Sequence, residues 1–381
     1  MPPRSGKMAT REFVVGGQDL DRALEEVLLK IRETEKNRRE LSSLLSCLKD
    51  KPLPQEFSSK VLEQRFTTVV RKLQKIEAKV AAVDSGFLGE ELHALDLMMI
   101  RGVAVIFHYN GGTKLEGVEY YPNPLPSARL VCSTEPMDSF EFEALTSIER
   151  LLTELRLAIE TAEKYQPDLL LLDGSLLPRY LDPSALDGEV ASRLHLLLQA
   201  YRQLYSLCTD SGVMLAGVVK DCRSSHFLGI LRQLLPSLGV TLPPEKEEFL
   251  EHLKDTVLLD CLLSVGERTF SFRCSEEFPI YAFYIKTVPE DRPLRVEFLN
   301  TPSQQINPSK TEGSAGTADR VAEVIYAISA HHPSFAVPAP LVEADLCAHL
   351  FREELELVHE TLLNRMGFST ILDTRRERRP F

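Results

Sequence analysis

No run of about 18 or more apolar residues occurs in the 381-residue chain, so nothing in it is long enough to span a membrane as a helix. The most apolar window, LDLMMIRGVAVIF, carries Asp96 and Arg101 inside it. The opening stretch MPPRSGKMATREF has positive charge but lacks the apolar centre of a secretory signal. No C-x-x-C pair occurs among the seven scattered cysteines, Cys47, Cys132, Cys208, Cys222, Cys261, Cys274 and Cys347. That absence, with the odd number, argues against a structural zinc site and for reduced thiols in an intracellular, cytoplasmic protein. Basic excess is missing too: 44 basic residues stand against 56 acidic ones, for a net charge of −12. A chain of that balance does not hold nucleic acid by bulk attraction. To act on DNA it needs a local basic channel, metal ions or a partner that delivers the strand.

What is present is ordinary globular material, 44% hydrophobic and 26% charged, enough for two domains or one large α/β domain with attachments. From Asp19 to about Lys49, Leu20, Leu24, Val27, Leu28 and Ile31 recur at helical spacing. The prolines of KPLPQEF break that helix, and a second one is expected over Ser58 to Lys75. Together they predict an N-terminal helical arm, a solvated hairpin or a surface for a partner. Strands are expected over 79–87 (KVAAVDSGF), 100–110 and 114–122, joined by hairpin-like connections. A long helix over 138–165 opens on Asp138-Ser139, and DLLLLD forms a fourth strand. A helix over 187–208, a strand over 212–221 and a helix near 224–236 follow. Further strands are expected in TFSFRC, IYAFYIK and LRVEFLN, then helices near 317–330 and 341–365. The polar stretch NTPSQQINPSKTEGSAGTAD reads as a loop, and the basic end TRRERRPF as a disordered tail.

Three leading strands, then alternating helices and strands with strands one and four parallel, is the ribonuclease-H-like layout: a mixed α/β sheet flanked by helices. It sets the ends of strands one and four side by side, and so gives meaning to LLLLDGSLLP, residues 169–178. Asp173-Gly174 makes a turn in any protein. A buried parallel strand also delivers Asp173 to the sheet edge where ligands bind, beside Asp84 at the end of strand one. Two adjacent carboxylates repel and need a countercharge. Mg²⁺ or Mn²⁺, which take hard oxygen ligands, are the natural ones, and a pair of such ions can hydrolyse a phosphodiester.

Glu154 is a third candidate. It lies beside Leu151, Leu152, Leu155 and Ala158 on the apolar side of the long helix, although an ion pair to a neighbouring Arg or Lys explains it equally well. Glu149 and Glu160 read as solvated alternatives. In VPAPLVEADLCAHLF, Asp345 and His349 stand at i, i+4 on one expected helix face and compete for the fourth ligand position. In VVKDCRSSHF, Lys220, Arg223 and Ser224 at a strand-to-helix junction suit a phosphate, with the helix N-terminus helping. Asp221 or Ser224 as a simple helix cap is the competing reading.

The blocks AAVDSGF, LLLLDGSLL, GVVKDCRSSHF and PAPLVEADLCAH, in this order over about residues 78–360, resemble the NurA nuclease family. The resemblance implies a nuclease domain over 78–365 with insertions near 238–315, an arm over 1–77 and a tail over 366–381. It implies a Mn²⁺- or Mg²⁺-dependent deoxyribonuclease, with single-strand endonuclease and 5′–3′ exonuclease activities, that forms homodimers and resects double-strand breaks with a hexameric HerA-type helicase. Metal ligation would fall to Asp84, Glu154, Asp173 and either Asp345 or His349. The first block reads Asp-Ser-Gly where the family commonly has Asp-Gly-Ser, and Asp345 stands where a histidine is expected. A non-catalytic scaffold subunit of a DNA translocase is the alternative, and a ribonuclease of the same fold a third reading.

Overall fold

The strands that carry the site alternate their side chains between two buried layers. Val80 and Ala82, with Leu169 and Leu171 of the neighbouring strand, enter one apolar cluster. Ala81 and Val83, with Leu170 and Leu172, enter another on the opposite face. A strand buried on both faces reads as an unbroken apolar run rather than an alternating one, which is why LLLLD is a strand.

The computed structural model describes residues 17–112, 115–133, 137–178, 188–300, 316–329, 332–367 and 370–373. Most of the polar stretch before residue 316 and the basic end from residue 374 lie outside the described residues. In chain order the elements are α1 Gly17–Leu45, β1 Thr67–Val69, β2 Ile76–Glu91, β3 Asp96–Gly112, β4 Leu115–Tyr121, β5 Arg129–Ser133, α2 Ser139–Tyr165, β6 Leu169–Asp173, α3 Gly188–Ser211 and β7 Met214–Val219. There follow α4 His226–Ser237, α5 Pro244–His252, α6 Asp255–Leu262, β8 Glu267–Thr269, β9 Phe272–Arg273, β10 Ile280–Ile285, β11 Leu294–Leu299, α7 Thr317–Ser329, α8 Ala339–Ala348 and α9 Arg352–Met366.

One mixed sheet runs β1-β8-β10-β11-β7-β6-β2-β3-β4, with β5 on β3 and β9 on β10. The pairs β2–β6 and β6–β7 are parallel, while β2–β3, β3–β4 and β7–β11 are antiparallel. Helices α2 and α3 line one face, where Leu152, Leu155 and Tyr201 pack. Helices α7 and α8 line the other with Val321, Ile325, Leu341 and Ala344. This is the ribonuclease-H-like sheet flanked by helices. Among the described residues no helix is long and apolar enough to cross a membrane, and all seven cysteines are unpaired.

Three of the expected elements take a different form, and β5, α5 and α6 have no counterpart in the sequence reading. The helix expected over 58–75 does not form; a short 3₁₀ turn, Gln55–Phe57, leads instead to β1. Val61 and Phe66 enter a core with Phe227, Phe270 and Phe272, and β1 pairs with β8, so long-range packing overrides the helical pattern. The arm therefore rests on α1 alone. Its Leu41 and Leu45 are buried against the same core, while Leu24, Val27, Leu29 and Ile31 are exposed.

Strand β2 continues past Asp84 to Glu91, held by β3. What stops near Asp84 is the pairing with β6, which runs from Val80–Leu169 to Val83–Leu172. The C-terminal helix expected over 341–365 is broken into α8 and α9 by extended backbone at His349 (φ −54°, ψ 133°). No glycine or proline marks the break. Arg101 of β3 holds it by donating to the His349 carbonyl (2.9 Å) and to Glu354 (2.7 Å).

Gly86 lets α8 end directly on β2, because a Cβ there would collide with the Ala348 carbonyl oxygen. Overpacking against backbone is expected to destabilise Gly86→Ala by about 1–3 kcal/mol in chemical denaturation. Gly117→Ala, where an added Cβ meets no atom within 4 Å, should show no loss.

Candidate functional site

The register of the parallel pair builds the site. Because Val83 lies opposite Leu172, the next residues along, Asp84 and Asp173, fall side by side at the edge of the paired region. Strand alternation gives Asp84 the parity of Val80 and Ala82, and Asp173 that of Leu169 and Leu171, which is the face covered by α8. There Asp345 completes a group: carboxylate oxygens of Asp84, Asp173 and Asp345 all lie within 4.8 Å of one another. Asp84 is 4% exposed, whereas Asp345 is open to solvent.

Burial pushes the Asp84 carboxyl up to about 8, with the charges of Asp173, Glu154 and Asp345 adding to the effect and the Ser85 amide (2.7 Å) opposing it. The site thus holds three acidic groups in a space too small for three uncompensated charges. Lys220, at the end of β7, offsets part of this by donating to Asp173 at 2.7 Å. Burial alone would lower the Lys220 ammonium, but Asp173, with Asp345 and Asp84 beyond, holds it above its usual range. The donor set is all oxygen and partly open, which fits a hard divalent cation such as Mg²⁺ or Mn²⁺.

Glu154 reaches the site from the other face. Ser85, with the opposite parity to Asp84, turns toward α2 and donates to Glu154 at 2.7 Å, and Arg150 one helical turn away donates at 2.9 Å. Glu154 is thus ion-paired, as one of the two readings has it, and it lies close enough to raise Asp84, but it is not among the carboxylates that converge within 4.8 Å. Burial lifts its own carboxyl to about 7 against the pull of Arg150 and Ser85. Of the two expected bystanders, Glu160 is exposed, but Glu149 is buried and paired with Arg129 (2.8 Å) and Arg193 (3.3 Å). Both arginines lie far from it in sequence, so the pairs could not be read from the chain.

His349 lies outside the carboxylate group. It follows the last turn of α8, where its ring packs edge-on against Phe351 at 4.8 Å. The i, i+4 relation to Asp345 survives only as a backbone bond from the His349 amide to the Asp345 carbonyl, 3.0 Å.

The junction after β7 also differs in detail. Ser225, not Asp221 or Ser224, precedes α4. In the first turn of that helix the amides of Phe227 and Leu228 donate to the buried carboxylate of Asp255 at 3.2 and 3.0 Å. Asp255 therefore takes the place at the helix N-terminus that the sequence reading reserved for a phosphate. Ser224 Oγ accepts from the His226 amide (3.0 Å), and Asp221 pairs with Arg292 (3.6 Å). Lys220 and Arg223 instead line a cleft of about 580 Å³ beside the carboxylates.

A buried pair that gave no sequence signal supports Asp173 from below. Glu297 of β11 accepts from Ser175 Oγ (2.7 Å) and the Leu176 amide (2.9 Å), and Arg295 donates to its other oxygen at 2.9 Å. Gly174 turns the chain at φ +109°, which a side chain rarely tolerates. Gly217 on β7 leaves room for that turn, since a Cβ would come within 2.5 Å of the Gly174 carbonyl oxygen. The Asp-Gly turn and the acidic site are thus one construction.

No curated protein sequence matches this chain. The crystal structure of the NurA nuclease from Sulfolobus solfataricus aligns with a TM-score of 0.54 at 14% identity, covering 91% of this chain and 99% of that one. Two other NurA crystal structures, one of them bound to dAMP and manganese, align at 10% identity with TM-scores of 0.46 and 0.45. Each alignment covers 94% of this chain, and 100% and 99% of theirs. The family model of the NurA domain matches residues 78–346, a span that runs from β2 through Asp345 of α8. The chain belongs to the NurA family.

Proposed function

We propose that this protein is a nuclease, and more specifically a divalent-metal-dependent deoxyribonuclease with single-strand endonuclease and 5′–3′ exonuclease activities. The observation that carries the reading is the convergence of Asp84, Asp173 and Asp345 within 4.8 Å at the sheet edge of a NurA-family fold. A bound Mn²⁺ or Mg²⁺ supplies the Lewis acid that polarises a phosphodiester and the countercharge that the carboxylates need. The three aspartates would hold it. Lys220 orients Asp173 by their 2.7 Å contact, and Ser85 and Arg150 fix Glu154 behind Asp84. With its carboxyl raised to about 7, Glu154 can take up or release a proton near neutral pH. Lys220 and Arg223 bring a phosphate to the carboxylates, and the Ser224 hydroxyl remains able to donate to one. Seven unpaired thiols support a reducing, cytoplasmic compartment.

The direct test is cleavage of labelled single-stranded DNA and RNA by purified protein with Mn²⁺, Mg²⁺ or chelator. Cleavage of DNA is expected with either ion and none with chelator; activity on RNA alone would sink the substrate assignment. Asp84→Ala, Asp173→Ala and Asp345→Ala should each lose about a thousandfold in rate or more, about 4 kcal/mol of barrier. His349→Ala should stay near wild type, and the reverse order of Asp345 and His349 would refute the ligand set.

Stability of the metal-free protein should depend on pH through Asp84. Its folded carboxyl is pushed up to about 8 while its unfolded one has the ordinary value of 3.8, so between these values the unfolded state has released a proton that the folded state keeps. Stability is therefore lost as pH rises through this window. Asp84→Asn, which mimics the protonated form, should match wild type in thermal midpoint at pH 3.5 and exceed it increasingly up to about pH 8. A constant difference across that range would contradict the assignment.

We further propose a homodimer that resects double-strand breaks with a HerA-type hexameric ATPase. Net charge −12 and the exposed apolar face of α1 support reliance on a partner to deliver duplex DNA. Duplex resection should be weak alone and strong with partner and ATP. Efficient resection by this protein alone, unchanged on adding both, would remove the need for the helicase.

A further inference from the structure

Five cations line the cleft beside the carboxylates, in a chain with a strong acidic excess. Arg38, Lys220, Arg223, Lys254 and Arg292 face it, against the two acidic side chains Asp221 and Asp260. They come from α1, the β7–α4 junction, the start of α6 and the loop before β11, so no single segment of sequence announces the cluster. Its roughly 580 Å³ falls within the ordinary range of ligand clefts, about 300–1,000 Å³.

The cations differ in availability. Arg38 is committed to Glu35 (2.5 Å) and Asp260 (3.4 Å) and acts as a wall. Lys220 is committed to Asp173. Arg223 and Lys254 are exposed and form no ion pair among the described residues, and Arg292 has only a solvent-exposed contact to Asp221 at 3.6 Å, of the kind worth little in water. Three positive charges are thus free to meet anions in a cleft that is linked to the carboxylate group through Lys220 and its contact to Asp173. No lining residue is aromatic, so the cleft offers no platform for stacking bases.

We infer that this cleft is a backbone track: Arg223, Lys254 and Arg292 bind phosphates of a single nucleic-acid strand next to the phosphodiester held at Asp84, Asp173 and Asp345, without reading base identity. The inference rests on the nuclease reading above for the phosphodiester at the carboxylates, and on the cleft itself for the chemistry. It also answers how a chain of net charge −12 meets a polyanion: a local cationic channel opens beside the acidic site.

The test is equilibrium binding of a fluorescent mixed-sequence single-stranded oligodeoxynucleotide to the full chain in chelator, across a salt series. Wild type is compared with Arg223→Ala, Lys254→Ala, Arg292→Ala and the triple variant. Each single change should weaken binding several-fold and flatten the plot of log affinity against log salt by about 0.7, the value for one phosphate contact on a single strand. Thermal midpoints should stay at the wild-type value, and homopolymers of different base should bind alike. Unchanged affinity and slope in the triple variant would overturn the track. So would a mononucleotide or inorganic phosphate whose binding depends on these residues while oligonucleotide binding does not, since that marks a small-ligand site. Because the readout is binding without cleavage, a wild type that binds but never cuts with metal counts against the nuclease reading alone. A triple variant that binds as wild type, in a protein that cuts, counts against the track alone.

Discussion

Repulsion among three carboxylates is the constraint around which this molecule is arranged. Asp84, Asp173 and Asp345 stand within 4.8 Å of one another, and in a partly dry site such charges destabilise the fold unless something answers them. The protein answers in part. Lys220 neutralises Asp173, and a carboxyl raised to about 8 lets Asp84 keep its proton at neutral pH when no ion is bound. The remaining imbalance is the property that suits the site to a divalent cation. Stability given up at the sheet edge is recovered from the layers on either side of it, where β2 and β6 are buried on both faces.

Holding such a group together takes support at a distance. The Asp173 turn rests on Glu297, two strands away, whose carboxylate is itself satisfied by Arg295. Removing either partner would strand a buried charge, a loss of about 3–5 kcal/mol. On the far face, Ser85 and Arg150 do the same for Glu154. Asp345 is placed differently. Helix α8 packs its Leu341 and Ala344 on the sheet and ends over Gly86, where only a missing side chain lets the Ala348 carbonyl approach. The Asp-Ser-Gly order of this segment follows from these contacts: Asp84 for the group, Ser85 for Glu154, Gly86 for α8.

The distribution of charge follows the same logic. In a chain of net charge −12, an acidic group at the sheet edge and a cluster of cations lining a cleft are kept apart, and under the proposed function this separates holding metal from holding phosphate. The start of α4, where an anion site would be expected, is instead filled by Asp255 from the chain itself. Side-chain cations rather than a helix dipole therefore face the cleft, and α1 contributes one of its walls through Arg38.

Local pattern determined the strands and helices that carry the site. The apolar runs before Asp84 and Asp173, the long helix holding Glu154 and the order of these elements each follow from local pattern, and from them comes the ribonuclease-H-like layout with its two adjacent aspartates. Tertiary structure decided the rest. Residues 58–75 have the spacing of a helix but become an extended segment and a strand, because Phe66 and Val61 gain more from a core shared with Phe270 and Phe272 than from a solvated helix. The C-terminal helix breaks at His349 because Arg101, almost 250 residues earlier, holds the carbonyl there, and the break takes His349 off the face it would have shared with Asp345. Glu297, Arg295, Lys254 and Arg292 carry no local signal at all. Their roles exist only once separate strands and loops converge, since a lone buried charge or a lone surface cation is chemically ordinary until its partners arrive from elsewhere in the chain.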